Sequence, residues 1–189
     1  MAKNPTYGPV RQLFSKYLII TNTVTSGSLL GLGDVITQNL EIEYASRMGT
    51  PEQMFDTSRT GRMFLMGLML GPFGHFWYTK LADKLVVGSG PKVVLKKIGV
   101  DQIIFTPIIT CLFFGGMGIL EGRGIQGATS EIKNNFVAVY SVDCCVWPPV
   151  QYFNFHFVPA RFRSIYVSSM TLVWNTFLSY MKHRGIATQ

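Results

Sequence analysis

The chain has 189 residues, which is enough for one domain and hardly for two. Only 14% of the residues are Asp, Glu, Lys or Arg, whereas soluble domains typically carry about 25%. This composition excludes a water-facing surface over much of the molecule, and the formal net charge of +7 favours an anionic neighbour.

The charged residues are unevenly distributed along the chain. A helix of about 20 residues crosses a hydrocarbon core of about 30 Å, whereas apolar runs in soluble core helices usually reach only about 10 to 14 residues. Five runs of 17 to 19 residues contain no Asp, Glu, Lys or Arg, namely 17–33, 63–79, 102–120, 144–160 and 164–181. The sequence therefore predicts an all-α integral membrane helical bundle, in which 1–189 form a single membrane-embedded domain.

The first segment, 1–16, is basic and amphipathic. Lys3, Arg11 and Lys16 flank apolar residues at helical spacing, and the first acidic residue is Asp34. A basic, acid-free start of this kind is typical of mitochondrial import. Anchoring to an anionic membrane surface is the open alternative.

The first predicted span extends from 17 to about 40. Gly27 and Gly31 have the small-xxx-small spacing that lets helices approach closely in lipid. Asp34 and Gln38 follow one helical turn apart and share a face. An acidic residue costs about 2.5 to 3.5 kcal/mol at the membrane centre. These two residues therefore face the bundle or a wet cavity, or else form an interfacial helix end.

A predicted polar loop, 41–57, leads towards the second span. Asp56, Arg59 and Arg62 recur every three residues, which favours Asp to Arg pairing or contact with lipid phosphates.

The second predicted span, 63–79, repeats the packing spacing with Gly67 and Gly71. Pro72 follows and should kink the helix. Its end carries Trp77 and Tyr78, an aromatic pair typical of a membrane interface.

The third predicted span follows a lysine-rich connection, 80–101. It begins at Asp101 and Gln102 and contains Pro107. The glycine-rich stretch 115–127 lacks the Gly-Lys-Ser/Thr ending of a phosphate-binding loop, so we expect a flexible turn there.

The next predicted element is an amphipathic helix, Ala128–Tyr140. Pro148 and Pro149 should break it and start a short re-entrant or kinked half-helix that ends near Pro159. Gln151 and Asn154 share a face of this half-helix, and we expect their amides to hydrogen-bond the backbone that the prolines free.

The fourth predicted span is 164–181. With four spans, both chain ends and the 80–101 connection lie on one membrane side. That side carries more Lys and Arg, which favours the matrix or cytosol. If 144–160 spans fully instead, the carboxyl end lies on the opposite side.

The candidate residues fall into three sets. Polar residues in the spans should face the bundle interior or a cavity, with interhelical hydrogen bonding as the alternative role. They are Asp34, Gln38, His75, Asp101, Gln102, Gln151, Asn154, Arg163 and Asn175. The helix-packing residues are Gly27, Gly31, Gly67 and Gly71. The helix breaks are Pro72, Pro107, Pro148, Pro149 and Pro159.

The sequence predicts no catalytic, cofactor-binding or metal-binding residues. His75, His156 and His183 lack the spacing of a metal motif. Cys144 and Cys145 are adjacent and lack a partner CxxC. A Gly-x-Ser-x-Gly nucleophile motif is also absent. We therefore expect a protein that is not an enzyme and needs no cofactor.

Four sequence stretches resemble one known family when taken in order. They are GLGDVITQ, DTSRTGRMFLMGLMLGPFGHFWYTKL, KKIGVDQIIFTP and VWPPVQYFNFHFVPARFRSIYVSSMTLVWNTFLSY. Together they resemble the Mpv-seventeen and peroxisomal membrane protein two family over almost the whole chain. The stretches LLGLGDVITQ, VLKKIGVDQ and DCCVWPPVQ are most similar to the Mpv-seventeen-like protein two branch. That branch usually has tryptophan where this chain has Cys144, so an interfacial anchor is lost there.

The resemblance implies a small protein of the inner mitochondrial or peroxisomal membrane, usually with four spans. The branch implies the mitochondrial inner membrane and support of mitochondrial ribosome assembly and organelle translation, with ribosomal proteins or rRNA as partners. Other family members imply the alternative of a channel or small-solute pathway. The positive charge predicts an anionic lipid bilayer as partner, and a homo-oligomer stays open.

Overall fold

The computed structural model describes residues 17–50, 53–88 and 90–184. Within these ranges the chain is almost entirely helical and contains no strand, which confirms the all-α prediction. The basic segment 1–16 lies outside the described residues.

The first two helical rods form one hairpin. Helix α1 spans Leu18–Met48. Helix α2 spans Thr57–Phe76 and continues through a π-helical turn, Trp77–Leu81, into a last α-helical turn, Ala82–Leu85. The two rods pack along much of their length.

The remaining three rods form a second hairpin and a closing helix. Helix α3, Pro91–Val100, joins helix α4, Thr106–Leu120, through a π-helical turn, Asp101–Phe105. Helix α5 spans Gly124–Phe157 and packs back on α4. Helix α6, Arg163–His183, packs on α1 and α5 and so connects the two hairpins.

The apolar core lies where the two hairpins meet. Met63 and Met66 from α2 form one buried cluster with Phe114 and Met117 from α4, and Val139 from α5 belongs to the same cluster. All five side chains are almost fully buried, so their close packing holds the hairpins together, as dispersion contacts do for helices in lipid.

Many large apolar side chains face outwards instead. Ile103 is 74% exposed, and Val173 is 65% exposed, as expected for helices that contact lipid. Among the described residues, one helix is long and apolar enough by itself to cross a membrane, Val93–Leu120. The four-span arrangement therefore stays a prediction.

The first part of the predicted polar loop 41–57 is helical. Helix α1 continues to Met48 and ends at Gly49, whose φ of 64° is readily adopted by glycine. Glu43 pairs with Arg47 one turn later, which supports the helix beyond the apolar run.

The predicted break at Pro148 and Pro149 is wrong, because α5 continues through both residues to Phe157. Trp147, beside the prolines, packs on Trp174 of α6 with ring centroids 6.2 Å apart. This tertiary contact favours one continuous helix in spite of the lost backbone hydrogen bonds. The helix ends at the predicted place, two residues before Pro159.

The predicted flexible turn at 115–127 is also wrong over most of its length. Helix α4 continues to Leu120, and α5 already begins at Gly124. Gly118 is a packing residue, since a Cβ there would lie 2.7 Å from the Cα of Ala128.

Pro72 and Pro107 lie inside continuous rods that each contain a π-helical turn. Pro107 lies two residues after the end of the π-helical turn Asp101–Phe105. Pro72 precedes the π-helical turn Trp77–Leu81. The π-helical turn changes the hydrogen-bond pattern next to Pro107, which lacks an N–H. The other turn begins five residues after Pro72 and does not replace its missing bond, yet that rod also continues.

Candidate functional site

A cavity of about 880 Å³ lies between the two hairpins, and we call it the central cavity. Its wall includes side chains from all six helices, both apolar and polar. Seven of the nine predicted polar candidates line it: His75, Asp101, Gln102, Gln151, Asn154, Arg163 and Asn175. Two, Asp34 and Gln38, lie elsewhere.

Helix α5 supplies a stripe of four residues to the cavity wall. Asp143, Trp147, Gln151 and Asn154 all line the cavity, and their spacing of four, four and three places them on one helical face. Asn154 Nδ2 donates to Gln151 Oε1 over 3.3 Å. The two amides therefore bind each other, whereas the sequence predicted that they bind backbone freed by the prolines.

The two π-helical turns meet at Asp101. Its Oδ1 accepts a hydrogen bond of 2.6 Å from Trp77 Nε1, and its Oδ2 accepts one of 3.0 Å from Tyr78. Phe105 stacks on Trp77 with centroids 5.0 Å apart. The aromatic pair predicted as an interface marker thus positions an acidic residue of the cavity wall.

Gln102 links the third rod to α5. Its side chain is buried, and its Oε1 accepts a contact of 3.4 Å from Cys144 Sγ. Its backbone carbonyl accepts from the Tyr140 hydroxyl at 3.2 Å. Cys144 therefore connects α5 with the π-helical turn Asp101–Phe105.

Two further candidates connect helices around the cavity. Asn22 Nδ2 of α1 lies 3.1 Å from His75 Nδ1 of α2. Asn175 of α6 packs against Gly33 of α1, where a Cβ would lie 2.7 Å from the Cβ of Asn175. Helix α1 therefore approaches α6 closely only because residue 33 has no side chain.

Arg163 closes the carboxyl end of α5. Its Nε donates to the carbonyl of Val158 and its Nη2 to the carbonyl of Phe155, both over 3.1 Å. These carbonyls lie at the end of a helix, where backbone acceptors lack intrahelical partners. Arg163 is thus mainly engaged in capping a helix.

Asp34 and Gln38 belong to a second polar site, which we call the Asp34 cluster: Asp34, Gln38, Arg59, Thr60 and Ser179. Asp34 is fully buried. Its Oδ1 accepts from Arg59 and Ser179, and its Oδ2 accepts from Gln38 and Thr60, all within 2.8 Å. The cluster links α1, α2 and α6 and leaves no lone pair of Asp34 directed at the cavity.

The arginine pairing differs from the sequence prediction. Arg59 Nη1 pairs with Glu41 at 2.7 Å, in addition to Asp34. Asp56 caps the start of α2 by accepting from the backbone N–H of Arg59. Arg62 lies 3.5 Å from Asp56, so only this partly exposed pair follows the predicted pattern.

A third polar group, the Glu121 network, joins the α4–α5 turn to the end of α6. It comprises Glu121, Arg123, Glu131, Lys182 and His183. Lys182 Nζ donates to both Glu121 oxygens at 2.8 Å and has a fully buried side chain. Arg123 pairs with both glutamates. Burial by itself raises the pKa of Glu121, but His183, Lys182 and Arg123 outweigh it and lower the pKa to about 2.

Sequence reasoning missed two parts of these sites. Asp143 lies four residues before Trp147, so a continuous α5 would have placed it on the cavity face. Because the sequence analysis predicted a helix break at Pro148, it did not place Asp143 on the same helical face as Gln151 and Asn154. The pairing of Lys182 with Glu121 joins residues 61 positions apart, and local spacing carries no signal for it.

Comparison with known proteins identifies relatives over most of the chain. The model of the Mpv17 / PMP22 family matches residues 118–179. "Mitochondrial inner membrane protein Mpv17" of Danio rerio is 34% identical over 91% of this chain and 94% of its own length. "Protein SYM1" of Kluyveromyces lactis is 34% identical over 85% of this chain and 81% of its own length. "PXMP2/4 family protein 4" of Dictyostelium discoideum is 30% identical, with coverage of 88% and 87%. No solved structure is significantly similar.

Proposed function

Since this chain belongs to the Mpv17 / PMP22 family, we propose that it is a conduit for small polar solutes. The protein is located in the mitochondrial inner membrane, as are the similar Mpv17 proteins of Danio rerio and Xenopus laevis according to their names. The conduit would therefore connect the matrix with the intermembrane space.

The observation that carries this proposal is the central cavity. Its volume of about 880 Å³ falls within the range of about 300 to 1,000 Å³ for small-molecule sites. Polar and ionisable residues within membranes are costly and typically mark solute pathways. Seven polar side chains predicted from sequence line this one space.

The competing role for such polar groups is hydrogen bonding between helices. The Asp34 cluster fits that role, because each oxygen of Asp34 accepts from two donors. The cavity wall differs, since polar residues from several helices, among them His75, Asp101 and Gln151, border one open space. A solute pathway explains why polar groups surround an open space.

Solute efflux from vesicles tests this function. The full chain is reconstituted into liposomes loaded with a radiolabelled sugar or amino acid, and release is compared with protein-free vesicles. Ser168→Phe places a ring in the cavity wall, whereas Ser169→Phe changes an exposed neighbour on the same helix. We expect release by the wild type and by Ser169→Phe, and little by Ser168→Phe. Release equal to that of empty vesicles would contradict the proposal.

A second candidate function is support of mitochondrial ribosome assembly and organelle translation. The supporting observation is the group of exposed lysines Lys80, Lys84 and Lys96 around the end of α2 and within α3. Lysines on the matrix side would attract rRNA phosphates. Anionic lipid headgroups are the competing partner, at about 1 kcal/mol per basic residue near the surface.

Sedimentation distinguishes these two partners. Detergent extracts of organelles are separated on gradients at low and high salt, with and without ribonuclease. Comigration with a ribosomal subunit at low salt, lost on ribonuclease treatment, supports the second function. Consistent absence from the subunit fractions, together with normal organelle translation after loss of the protein, would exclude it.

A further inference from the structure

We propose that the corner between α2 and α3 binds the anionic headgroups of membrane phospholipids. We call this surface the α2–α3 corner and define it by three exposed lysines and three exposed apolar residues, namely Lys80, Lys84, Lys96, Leu85, Val87 and Leu95. The wall of the central cavity does not include any of these six described residues, so the proposal goes beyond the conduit function and does not depend on it.

The α2–α3 corner lies at one end of the bundle. Towards the end of α2, a Cβ at Gly71 would lie 2.6 Å from the Cα of Thr23, close to the start of α1. Trp77 stacks on Phe105, immediately before the start of α4. The start of α1, the end of α2, α3 and the start of α4 therefore share one end, which we call the corner end. The end of α1, the start of α2, the α4–α5 turn and the end of α6 form the opposite end, joined by the Asp34 cluster and the Glu121 network.

The lysines of the α2–α3 corner differ from most cations of the opposite end in their ion pairing. The cations of the opposite end that pair with a carboxylate of the chain are Arg47, Arg59, Arg62, Arg123 and Lys182. The ion pairs between described residues do not include Lys80, Lys84 or Lys96. The stretch 80–100 carries five lysines and a single acidic residue. One carboxylate cannot neutralise five lysines, so the corner favours an anionic partner.

The exposed apolar residues of the corner favour lipid over rRNA as that partner. Leu85 is 53% exposed, Val87 is 83% exposed and Leu95 is 55% exposed. Lys84 and Lys96 are their direct neighbours in the sequence. At a membrane surface, apolar side chains enter the acyl boundary while lysine stems extend to the phosphates. A complex with rRNA would satisfy the lysines but would leave the apolar side chains in water.

Aromatic residues place the corner end at the depth of the headgroups. Tyr78 is exposed and lies two residues before Lys80, and tyrosine is enriched at the membrane–water interface. The connection between α5 and α6 lies at the same end, because α5 runs back along α4. There the guanidinium carbon of Arg161 lies 4.6 Å from the ring centroid of Phe162, and both residues are exposed. Two connections at the corner end thus combine basic and aromatic side chains.

Lipid binding by the purified full chain in zwitterionic detergent micelles tests the proposal. Phosphatidylglycerol and phosphatidylcholine, each with the same dansyl label on an acyl chain, are titrated, and energy transfer from the tryptophans reports binding. A basic residue near an anionic surface contributes a preference of about fivefold. We therefore expect the wild type to prefer phosphatidylglycerol by at least about tenfold at low salt. High salt should reduce this preference, because exposed charges are screened.

Two triple variants of equal net charge locate the binding surface. The corner variant combines Lys80→Gln, Lys84→Gln and Lys96→Gln. The control variant removes exposed cations from the opposite half of the bundle, with Arg47→Gln, Lys133→Gln and Arg184→Gln. We expect the corner variant to bind phosphatidylglycerol at least about tenfold more weakly than the wild type, and the control variant to bind it within about twofold.

Circular dichroism checks that the variants fold. If the corner variant does not fold, Lys96→Gln alone replaces it, with an expected loss of about fivefold. Equal losses in the corner and control variants would overturn the proposal. Equal affinities of the wild type for the two lipids would also overturn it.

The exposed leucines distinguish lipid from rRNA. Leu85→Gln combined with Leu95→Gln keeps every lysine but removes side chains that would enter the acyl boundary. We expect this variant to bind phosphatidylglycerol at least about fivefold more weakly, and to bind a labelled single-stranded RNA oligonucleotide as the wild type does. Unchanged binding of phosphatidylglycerol would overturn the proposal. Tighter binding of the RNA than of phosphatidylglycerol through the same lysines would also overturn it, and would favour rRNA as the partner.

Discussion

At the scale of single residues, Asp34 illustrates how a buried acid can be made structural. Its Oδ1 accepts from Arg59 and Ser179, and its Oδ2 accepts from Gln38 and Thr60. Such a fully satisfied buried charge specifies one arrangement of α1, α2 and α6, because each donor comes from a fixed helical position. The sequence identified Asp34 and Gln38 as a pair, but their partners on other helices depend on tertiary packing.

We expect Asp34→Asn to reduce the free energy of unfolding by about 3 kcal/mol, since breaking a buried ion pair leaves the partner charge uncompensated. The side-chain amide would also replace one of the two accepting oxygens by an NH2 group. That group would point at two hydrogen-bond donors and could accept from neither. Unfolding in mixed micelles, followed by circular dichroism, measures the change. The control Glu43→Gln alters an exposed pair with Arg47 and should change stability by less than about 1 kcal/mol. Equal stability of the two variants would refute the structural role of Asp34.

The Glu121 network should make stability depend on acid pH. The pKa of Glu121 is lowered from 4.5 to about 2, so the folded state binds the proton less tightly than the unfolded state. Its stabilising contribution is therefore complete well above pH 4.5 and is lost as the pH falls towards about 2. It amounts to at most about 3 kcal/mol.

The comparison of wild type with Glu121→Gln isolates this contribution from other carboxyl groups. The difference in unfolding free energy should be largest near neutral pH and should approach zero near pH 2. Unfolding curves at several pH values measure it. A difference that stays constant over this range would show that Glu121 has an ordinary pKa in the folded protein.

At the scale of elements, the sequence predicted where helices exist better than where they end. Long charge-free runs predict helices because length and apolarity are local properties. The end of α1 depends on the Glu43–Arg47 pair and Gly49, which lie beyond the apolar run. Helix α5 continues across Pro148, and the adjacent Trp147 packs on Trp174. These two tryptophans lie on different helices, so local sequence rules assign too much weight to the proline.

The α1–α2 hairpin depends on glycine contacts. A Cβ at Gly67 would lie 2.6 Å from the carbonyl oxygen of Ser26 and 2.7 Å from the Cα of Gly27. Because both contacts are backbone atoms, a side chain there forces the helices apart. We expect Gly67→Ala to lower stability by about 2 kcal/mol, as overpacking does elsewhere.

Gly61→Ala is the matched control for this contact. It lies in the same helix, and a Cβ there meets no atom within 4 Å. Since alanine has the higher helix propensity, Gly61→Ala should be neutral or stabilising by up to about 1 kcal/mol. Thermal unfolding of both variants checks the pair of predictions. If both variants lost a similar amount of stability, the loss would come from replacing a glycine inside the helix and not from the α1–α2 contact.

At the scale of the whole molecule, the two hairpins and α6 surround a polar space that local patterns indicate only in part. The polar candidates were recognisable one by one, because polar residues within apolar runs are conspicuous. Which of them line the central cavity and which belong to the Asp34 cluster was not recognisable from sequence. That division depends on how α1 and α6 pack through Gly33 and Asn175. The cavity is therefore a property of the assembled bundle.

Thiol labelling tests most directly whether the central cavity is open to water in the membrane. In a chain with Cys111, Cys144 and Cys145 replaced by serine, single cysteines are introduced as Ser168→Cys in the cavity wall and Ser169→Cys on the exposed neighbouring face. Because the thiolate is the reacting species, a charged methanethiosulfonate reagent reacts only where water reaches the sulfur. We predict rapid labelling of Ser168→Cys in intact inner-membrane vesicles and slow labelling of Ser169→Cys, which faces lipid. Unreactive Ser168→Cys from both membrane sides, or equal rates at the two positions, would contradict a hydrated cavity.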